Sequence, residues 1–162
     1  MKTLFYWTFA AVVALSGLSL AQSVEKKNAN HASQKNSARE KLIGAWRLAW
    51  IEDQAADGKV SRTTDRTGLL LYTRDGHMSV EIMFPQSQSA LSNDYVRNGY
   101  EASFGSYDVN EAAHTVTHHV LGSITPGLVG KSLPRAFQFS DRRLIIQSTR
   151  PDEHWSVTWE RY

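Results

Sequence analysis

From residue 44 onward the chain changes polarity residue by residue rather than helical turn by helical turn, and that restricts it to sheet. Trp46, Leu48 and Trp50 alternate with Arg47 and Ala49, and Met78, Val80, Ile82 and Phe84 share one parity of the run 77–84. Successive side chains on a strand point to opposite faces, so a period of two marks a strand with one buried side. No window in this region sustains the 3.6-residue period of an amphipathic helix. Turn signals divide the runs: Asp57-Gly58, Arg74-Asp75-Gly76-His77, Pro85, Ser140-Asp141 and Pro151-Asp152. Asp-Gly between two β-rich runs is a hairpin signal, and proline ends a strand. Further strands are expected over Leu69 to Thr73, Gly99 to Val109, Thr115 to Leu121, Leu133 to Phe139, Leu144 to Thr149 and Glu153 to Arg161. Gly105, inside one of them, marks a bend. Residues 85–98 form a longer polar excursion, and Gly122 to Lys131 a glycine-containing loop. About eight short strands separated by turns describe an all-β domain, a sandwich or an up-and-down barrel.

The first two dozen residues follow other rules. Lys2 precedes an apolar run from Leu4 to Leu15, and Ser19-Leu20-Ala21 places small residues at the −3 and −1 positions of a cleavage site. This is the pattern of a secretory signal over residues 1–21. Ser16, Gly17 and Ser19 interrupt the run, and a spanning helix needs about 20 apolar residues, so no membrane span is expected after cleavage. The expected location is the periplasm or the medium. Residues 22–40 read as a polar leader without the apolar content to order itself. Within it Ser37-Ala38-Arg39-Glu40 fits a capping box ahead of Leu42 and Ile43, predicting one helical turn into the domain, 41–162.

The chain has no cysteine. Disulfides and cysteine-ligated metals are excluded, so the fold rests on its core. Residues 22–41 carry Lys26, Lys27, Lys35, Arg39 and Lys41 against Glu25 and Glu40, whereas 42–162 holds 12 basic and 14 acidic residues. A slightly acidic domain suits phosphate backbones poorly, and nucleic acid is not expected as a partner.

Gly44-Ala45-Trp46 opens the first strand and Trp159-Glu160-Arg161 closes the last. Between them run Asp57-Gly58-Lys59, Gly68-Leu69-Leu70-Leu71-Tyr72-Thr73, Asp75-Gly76-His77-Met78-Ser79-Val80, Phe104-Gly105-Ser106-Tyr107-Asp108-Val109, Thr115-Val116-Thr117-His118-His119-Val120, Arg135-Ala136-Phe137 and Asp141-Arg142-Arg143-Leu144. The series resembles the bacterial and fungal lipocalin-like domain family, a calycin-type β-barrel, in order over nearly all of 41–162. The resemblance implies a closed or nearly closed antiparallel barrel, with Gly44, Trp46 and Arg161 as structural residues and the late arginine set against the early tryptophan. The contact would be a cation–π interaction of roughly 0.5–2 kcal/mol.

Parity then assigns faces. With Trp46 inside, Leu48 and Trp50 are expected inside, and so are Trp155 and Trp159 on the last strand. Arg135, Phe137 and Phe139 share a face, and two phenylalanines argue that it is the interior. A buried guanidinium needs a carboxylate, a ring of acceptors or a bound anion. His118, on the preceding strand, and Tyr107, one strand earlier, could complete a polar patch. Trp50, Tyr72, Tyr107, His118, Arg135, Phe137 and Trp155 are therefore the expected ligand-binding residues. The other reading is a filled interior, with Arg135 paired to Glu101 or Glu81 and His118 bonded to a tyrosine. Adjacent His118 and His119 face opposite ways and cannot share a metal without a bulge; no metal and no cofactor is expected. No Ser-His-Asp spacing is suggestive, and Tyr95 and Tyr100 are placed for a lid.

The leading expectation is an exported binding protein for a small apolar or amphipathic molecule, a carboxylate-bearing one included, held inside the barrel. The alternative is a cofactor-free isomerase or cyclase, with His118 as acid/base and Arg135 stabilising an oxyanion. A filled barrel acting through its leader or an outer face is the third.

Overall fold

The structure, a computed structural model, describes Lys26 and residues 37–162. The expected signal sequence over 1–21 and the expected leader up to residue 36, Lys26 apart, lie outside the described residues. One short helix, α1 (Ala38–Leu42), precedes nine strands: β1 (Gly44–Gln54), β2 (Val60–Thr63), β3 (Thr67–Tyr72), β4 (His77–Met83), β5 (Tyr100–Asn110), β6 (Thr115–Ser123), β7 (Ser132–Ser140), β8 (Arg143–Ser148) and β9 (Trp155–Arg161). Among the described residues no helix is long and apolar enough to cross a membrane.

Every neighbouring pair is antiparallel. From β3 to β9 each strand pairs with the next in sequence, and β1 joins both β3 and β9. The sheet therefore closes into an eight-stranded up-and-down barrel, as the alternation and the resemblance lead one to expect. The ninth strand, β2, is an addition: Ile51 to Gln54 of β1 pair with Val60 to Thr63, beyond the stretch of β1 that β3 covers. Its residues are mostly exposed and show no apolar alternation, so the sequence carries no strand signal there.

The compact unit begins at Ala38 rather than at 41. Leu42 is fully buried and Ala38 packs against the core, so α1 closes one end of the barrel instead of belonging to the leader. At this end Trp46 donates its indole N–H to the Leu42 carbonyl at 2.7 Å. The Arg161 guanidinium stands 4.1 Å from the Trp46 ring centroid and donates to the carbonyls of Ile43 and Lys41. Gly44 makes room for it: its φ is +130°, and a Cβ there would lie 2.1 Å from a guanidinium nitrogen of Arg161. The glycine, tryptophan and arginine thus form one closure device. Gly105 has a similar role between strands, because a Cβ on it would stand 1.9 Å from the His119 carbonyl oxygen.

A bulge in β1 corrects one expectation. Leu48 pairs with Trp159 but Trp50 pairs with Thr158, so one extra residue intervenes. An inserted residue reverses the alternation beyond it. Ile51 and Asp53 consequently face inward, and Trp50 stands on the outer surface between the guanidiniums of Arg62, at 4.5 Å, and Arg143, at 4.9 Å.

Candidate functional site

The two ends of the barrel differ. Around Trp46 the interior is filled by Tyr72, Met78, Tyr107, Val116, Phe137 and Leu144, all buried. Toward the other end the inward side chains leave a cavity of about 150 Å³. Its wall comes from Ile51 of β1, Leu70 of β3, Val80 and Ile82 of β4, Ile146 of β8, and Trp155, Val157 and Trp159 of β9. Polar groups enter from Glu101 and Ser103 on β5, His118 on β6, Arg135 on β7 and Arg66 in the turn before β3.

The segment between β4 and β5 lies over this space. Asn93 accepts the N–H groups of Tyr95, at 2.9 Å, and Val96, at 2.8 Å, with its side-chain oxygen. That Asx turn holds the local backbone, and Val96 points into the cavity with 3% exposure. The Tyr95 ring meets Trp155 edge-on at 6.2 Å, and its hydroxyl donates to Glu153 at 2.9 Å. Tyr95 and Val96 thus form the cover. Tyr100, expected beside Tyr95, instead pairs with Met83 on the outside and is 47% exposed.

Arg135 is 6% exposed. Its guanidinium lies 5.2 Å from the Tyr95 ring centroid and 5.0 Å from that of Trp155, and donates to the Pro134 carbonyl at 3.1 Å. Among the described residues no carboxylate forms an ion pair with it. Of the two partners considered from sequence, Glu81 faces outward beside Ser79, and Glu101 faces the cavity. Burial pushes the Glu101 carboxyl up to about 7, against the opposing pull of Arg135 and Arg66.

His118 meets the Tyr72 hydroxyl through Nε2 at 2.6 Å. Burial, then the positive field of Arg135 and of His119, pushes the imidazole down to about 3, so it is neutral at physiological pH. Burial also raises the Tyr72 phenol well above its ordinary value. The remaining expected residues stand elsewhere. Tyr72 reaches the cavity only through His118. Tyr107 donates to the Thr73 carbonyl at 2.8 Å and packs on Tyr72, and Phe137 packs on Phe139 at 5.7 Å, both in the filled end. They share the inward parity but sit at a different depth. His118, Arg135 and Trp155 border the cavity, while Trp50 is outside it.

Glu101, Arg66 and Val96 are not singled out as ligand contacts by the sequence. Glu101 shares the parity of Ser103, Gly105 and Tyr107, a signal that marks it as inward. Arg66 and Val96 lie in irregular segments where no periodicity points the way.

The two shifted groups act on stability with opposite signs. Unfolding lets His118 take up a proton near 6.5 that the folded protein refuses until about 3. Stability is therefore lost as pH falls across that window. Folded Glu101 keeps its proton to about 7, whereas the unfolded chain releases it near 4.5. Here stability is lost as pH rises. In denaturant titrations a Glu101→Gln variant is expected to gain on the parent progressively between pH 4.5 and 7. A His118→Phe variant gains on it as pH falls below 6.5. A pH-independent difference for either variant contradicts the corresponding assignment.

The outer face carries one row absent from the sequence reading. His119 meets Ser132 through Nδ1 at 2.9 Å and Asp108 through Nε2 at 2.9 Å. The Asp108 side chain is 81% exposed, so water screens it and the row lacks the dry enclosure that strengthens a nucleophilic triad.

A family model described as a lipocalin-like domain matches residues 43–162. No curated protein matches the chain. Among solved structures, a lipocalin-like protein from Bacteroides uniformis is 14% identical with a TM-score of 0.45, over 75% of this chain and 99% of that one. An uncharacterized protein from Bacteroides eggerthii is 14% identical with a TM-score of 0.44, over the same shares. A single-residue mutant of the fluorescent protein UnaG is 14% identical with a TM-score of 0.40, over 76% of this chain and 97% of that one.

Proposed function

Because the chain belongs to the lipocalin-like domain family, we propose that its barrel binds a small apolar or amphipathic molecule in the covered cavity. The observation that carries this reading is Arg135: a cation almost wholly withdrawn from water, on the cavity wall, with no ion-pair partner among the described residues. A buried charge left in that state is costly unless something compensates it. Ligand sites combine apolar walls with a few polar anchors, and this cavity has that composition. Catalysis by His118 is disfavoured by its own environment. A group that titrates near 3 and is already engaged with Tyr72 is a weak base at neutral pH. Export is part of the proposal, supported by the signal pattern over 1–21.

The test is native mass spectrometry of the mature protein from its natural producer, followed by denaturation and identification of any released compound. A stoichiometric small molecule is the expected result. Because Trp155 and Trp159 border the cavity, ligand return is also expected to change tryptophan emission. A clean apo mass, with no response to a panel of small acids and neutral aromatics, overturns the proposal.

A further inference from the structure

We propose that the ligand is a small monocarboxylate, of single-ring or short branched size. Its carboxylate would lie between the guanidiniums of Arg66 and Arg135, and Glu101 would donate to it. One proton would enter with each anion. This rests on the binding reading above and specifies its chemistry.

Arg66 borders the cavity with its guanidinium 4.2 Å from the Phe84 ring centroid, and its Nε is buried without a hydrogen-bond partner. Among the described residues Arg135, on β7, forms no ion pair. Both guanidiniums act on Glu101 electrostatically, yet among the described residues neither forms an ion pair with it. Guanidinium presents a planar fork of donors matched to a carboxylate. One incoming carboxylate supplies an acceptor for the Arg66 Nε and an anionic partner for both guanidiniums.

Charge balance sets the number of anions. The charged and titratable side chains that border the cavity are Asp53 from β1, Arg66 from the turn before β3, Tyr95 from the covering segment, Glu101 from β5, His118 from β6 and Arg135 from β7. β3, β4, β8 and β9 bring no ionisable group to its wall. Tyr95 and His118 are neutral at physiological pH, the hydroxyl bonded to Glu153 and the imidazole to Tyr72. With Glu101 protonated, two guanidiniums face one carboxylate, that of Asp53 at the rim, and one monoanion restores neutrality. With Glu101 ionised, the ligand would place two carboxylates side by side, and like charges at close range cannot both persist. A proton taken from solvent onto Glu101 turns that repulsion into a hydrogen bond. Glu101 is already poised for this, since burial holds it near 7.

Volume sets the size. A cavity of about 150 Å³ is the scale that admits a benzene-sized guest, whereas larger ligands occupy roughly 300–1,000 Å³. That volume matches a single ring or a short branched chain better than a long acyl chain or a fused-ring ligand. Trp155 and Trp159 border the cavity and give a ring an aromatic wall.

The experiment is calorimetric titration of the mature chain with benzoate, phenylacetate, 3-methylbutanoate and the neutral isostere benzamide. Each is run at pH 5.5 and pH 8 in two buffers of different ionisation enthalpy. At pH 8 the parent is expected to take up close to one proton per carboxylate bound, and at pH 5.5 close to none. Benzamide is expected to bind at least tenfold more weakly than benzoate at pH 5.5. Arg66→Gln lowers benzoate affinity tenfold or more and narrows the preference for benzoate over benzamide. Glu101→Gln still binds benzoate but takes up no proton. Circular dichroism of each variant establishes that the barrel is intact. Equal affinity for benzoate and benzamide overturns the anion, while the binding reading stands. Proton uptake that survives Glu101→Gln, or none in the parent at pH 8, overturns the role of Glu101. If no acid in the panel binds while native mass spectrometry releases a larger compound, the small-acid proposal fails alone. If nothing binds or is released, both fail.

Discussion

Trp46→Ala is expected to cost about 3–5 kcal/mol of stability, the range for removing a buried tryptophan, and is the largest single effect anticipated in the domain. The Trp46 side chain is 2% exposed and sits where α1, β1 and β9 meet. Truncation removes packing against Phe139, whose ring centroid is 6.4 Å away. It also removes the hydrogen bond to the Leu42 carbonyl, the contact that ties α1 to the barrel, and strips Arg161 of the ring it lies on. Trp50→Ala makes the control. That indole lies on the outer surface, partly covered by two arginines, so its loss is expected to cost about 1 kcal/mol, the scale of surface cation–π contacts. Equilibrium urea unfolding of the two variants checks both. Equal losses would mean that the β1 bulge does not separate the two tryptophans as described.

Arg135→Met is expected to separate binding from stability. It removes a buried cation that has no ion pair among the described residues and leaves an unbranched apolar side chain of similar reach. Replacing a buried charge by a hydrophobic residue is often neutral or stabilising, so the melting temperature is expected to hold or rise. Affinity for a carboxylate probe is expected to fall by about ten- to a hundredfold, the equivalent of roughly 1.5–3 kcal/mol for a hydrogen bond to a charged group. The two measurements move in opposite directions only if Arg135 is there for the ligand. A variant that binds benzoate as tightly as the parent, or one that unfolds, would show instead that the guanidinium serves the core.

Much of the barrel was legible because strand alternation is a local property. Met78, Val80 and Ile82 on β4, Val116 and His118 on β6, Arg135 and Phe137 on β7, and Trp155, Val157 and Trp159 on β9 all take the inward side that their parity assigns. Asp75-Gly76 makes the turn its chemistry favours, with Gly76 at φ +92°. The cation–π partnership of Trp46 and Arg161 followed from a resemblance carried by the two ends of the domain.

Parity, however, is a two-valued signal, and the site depends on quantities it does not encode. One extra residue in β1 reverses every face beyond it, and nothing in Trp46-Arg47-Leu48-Ala49-Trp50 announces the insertion, so parity alone puts Trp50 inside. Depth along the barrel is set by the stagger between strands, a property of the closed sheet. Tyr107 and Phe137 therefore share a face with Glu101 and Arg135 yet fill the opposite end. Arg66 and Val96 sit in segments without regular backbone, where only the packed chain decides which way a side chain turns. The sequence by itself determined that this domain is all-β and which residues of β4, β6, β7 and β9 face inward, because those depend on neighbours one and two positions apart; the closed barrel was what the resemblance implied. Only the tertiary structure decided that Arg66, Glu101 and Arg135 share one small cavity, because stagger, bulge and loop path arise when the sheet closes.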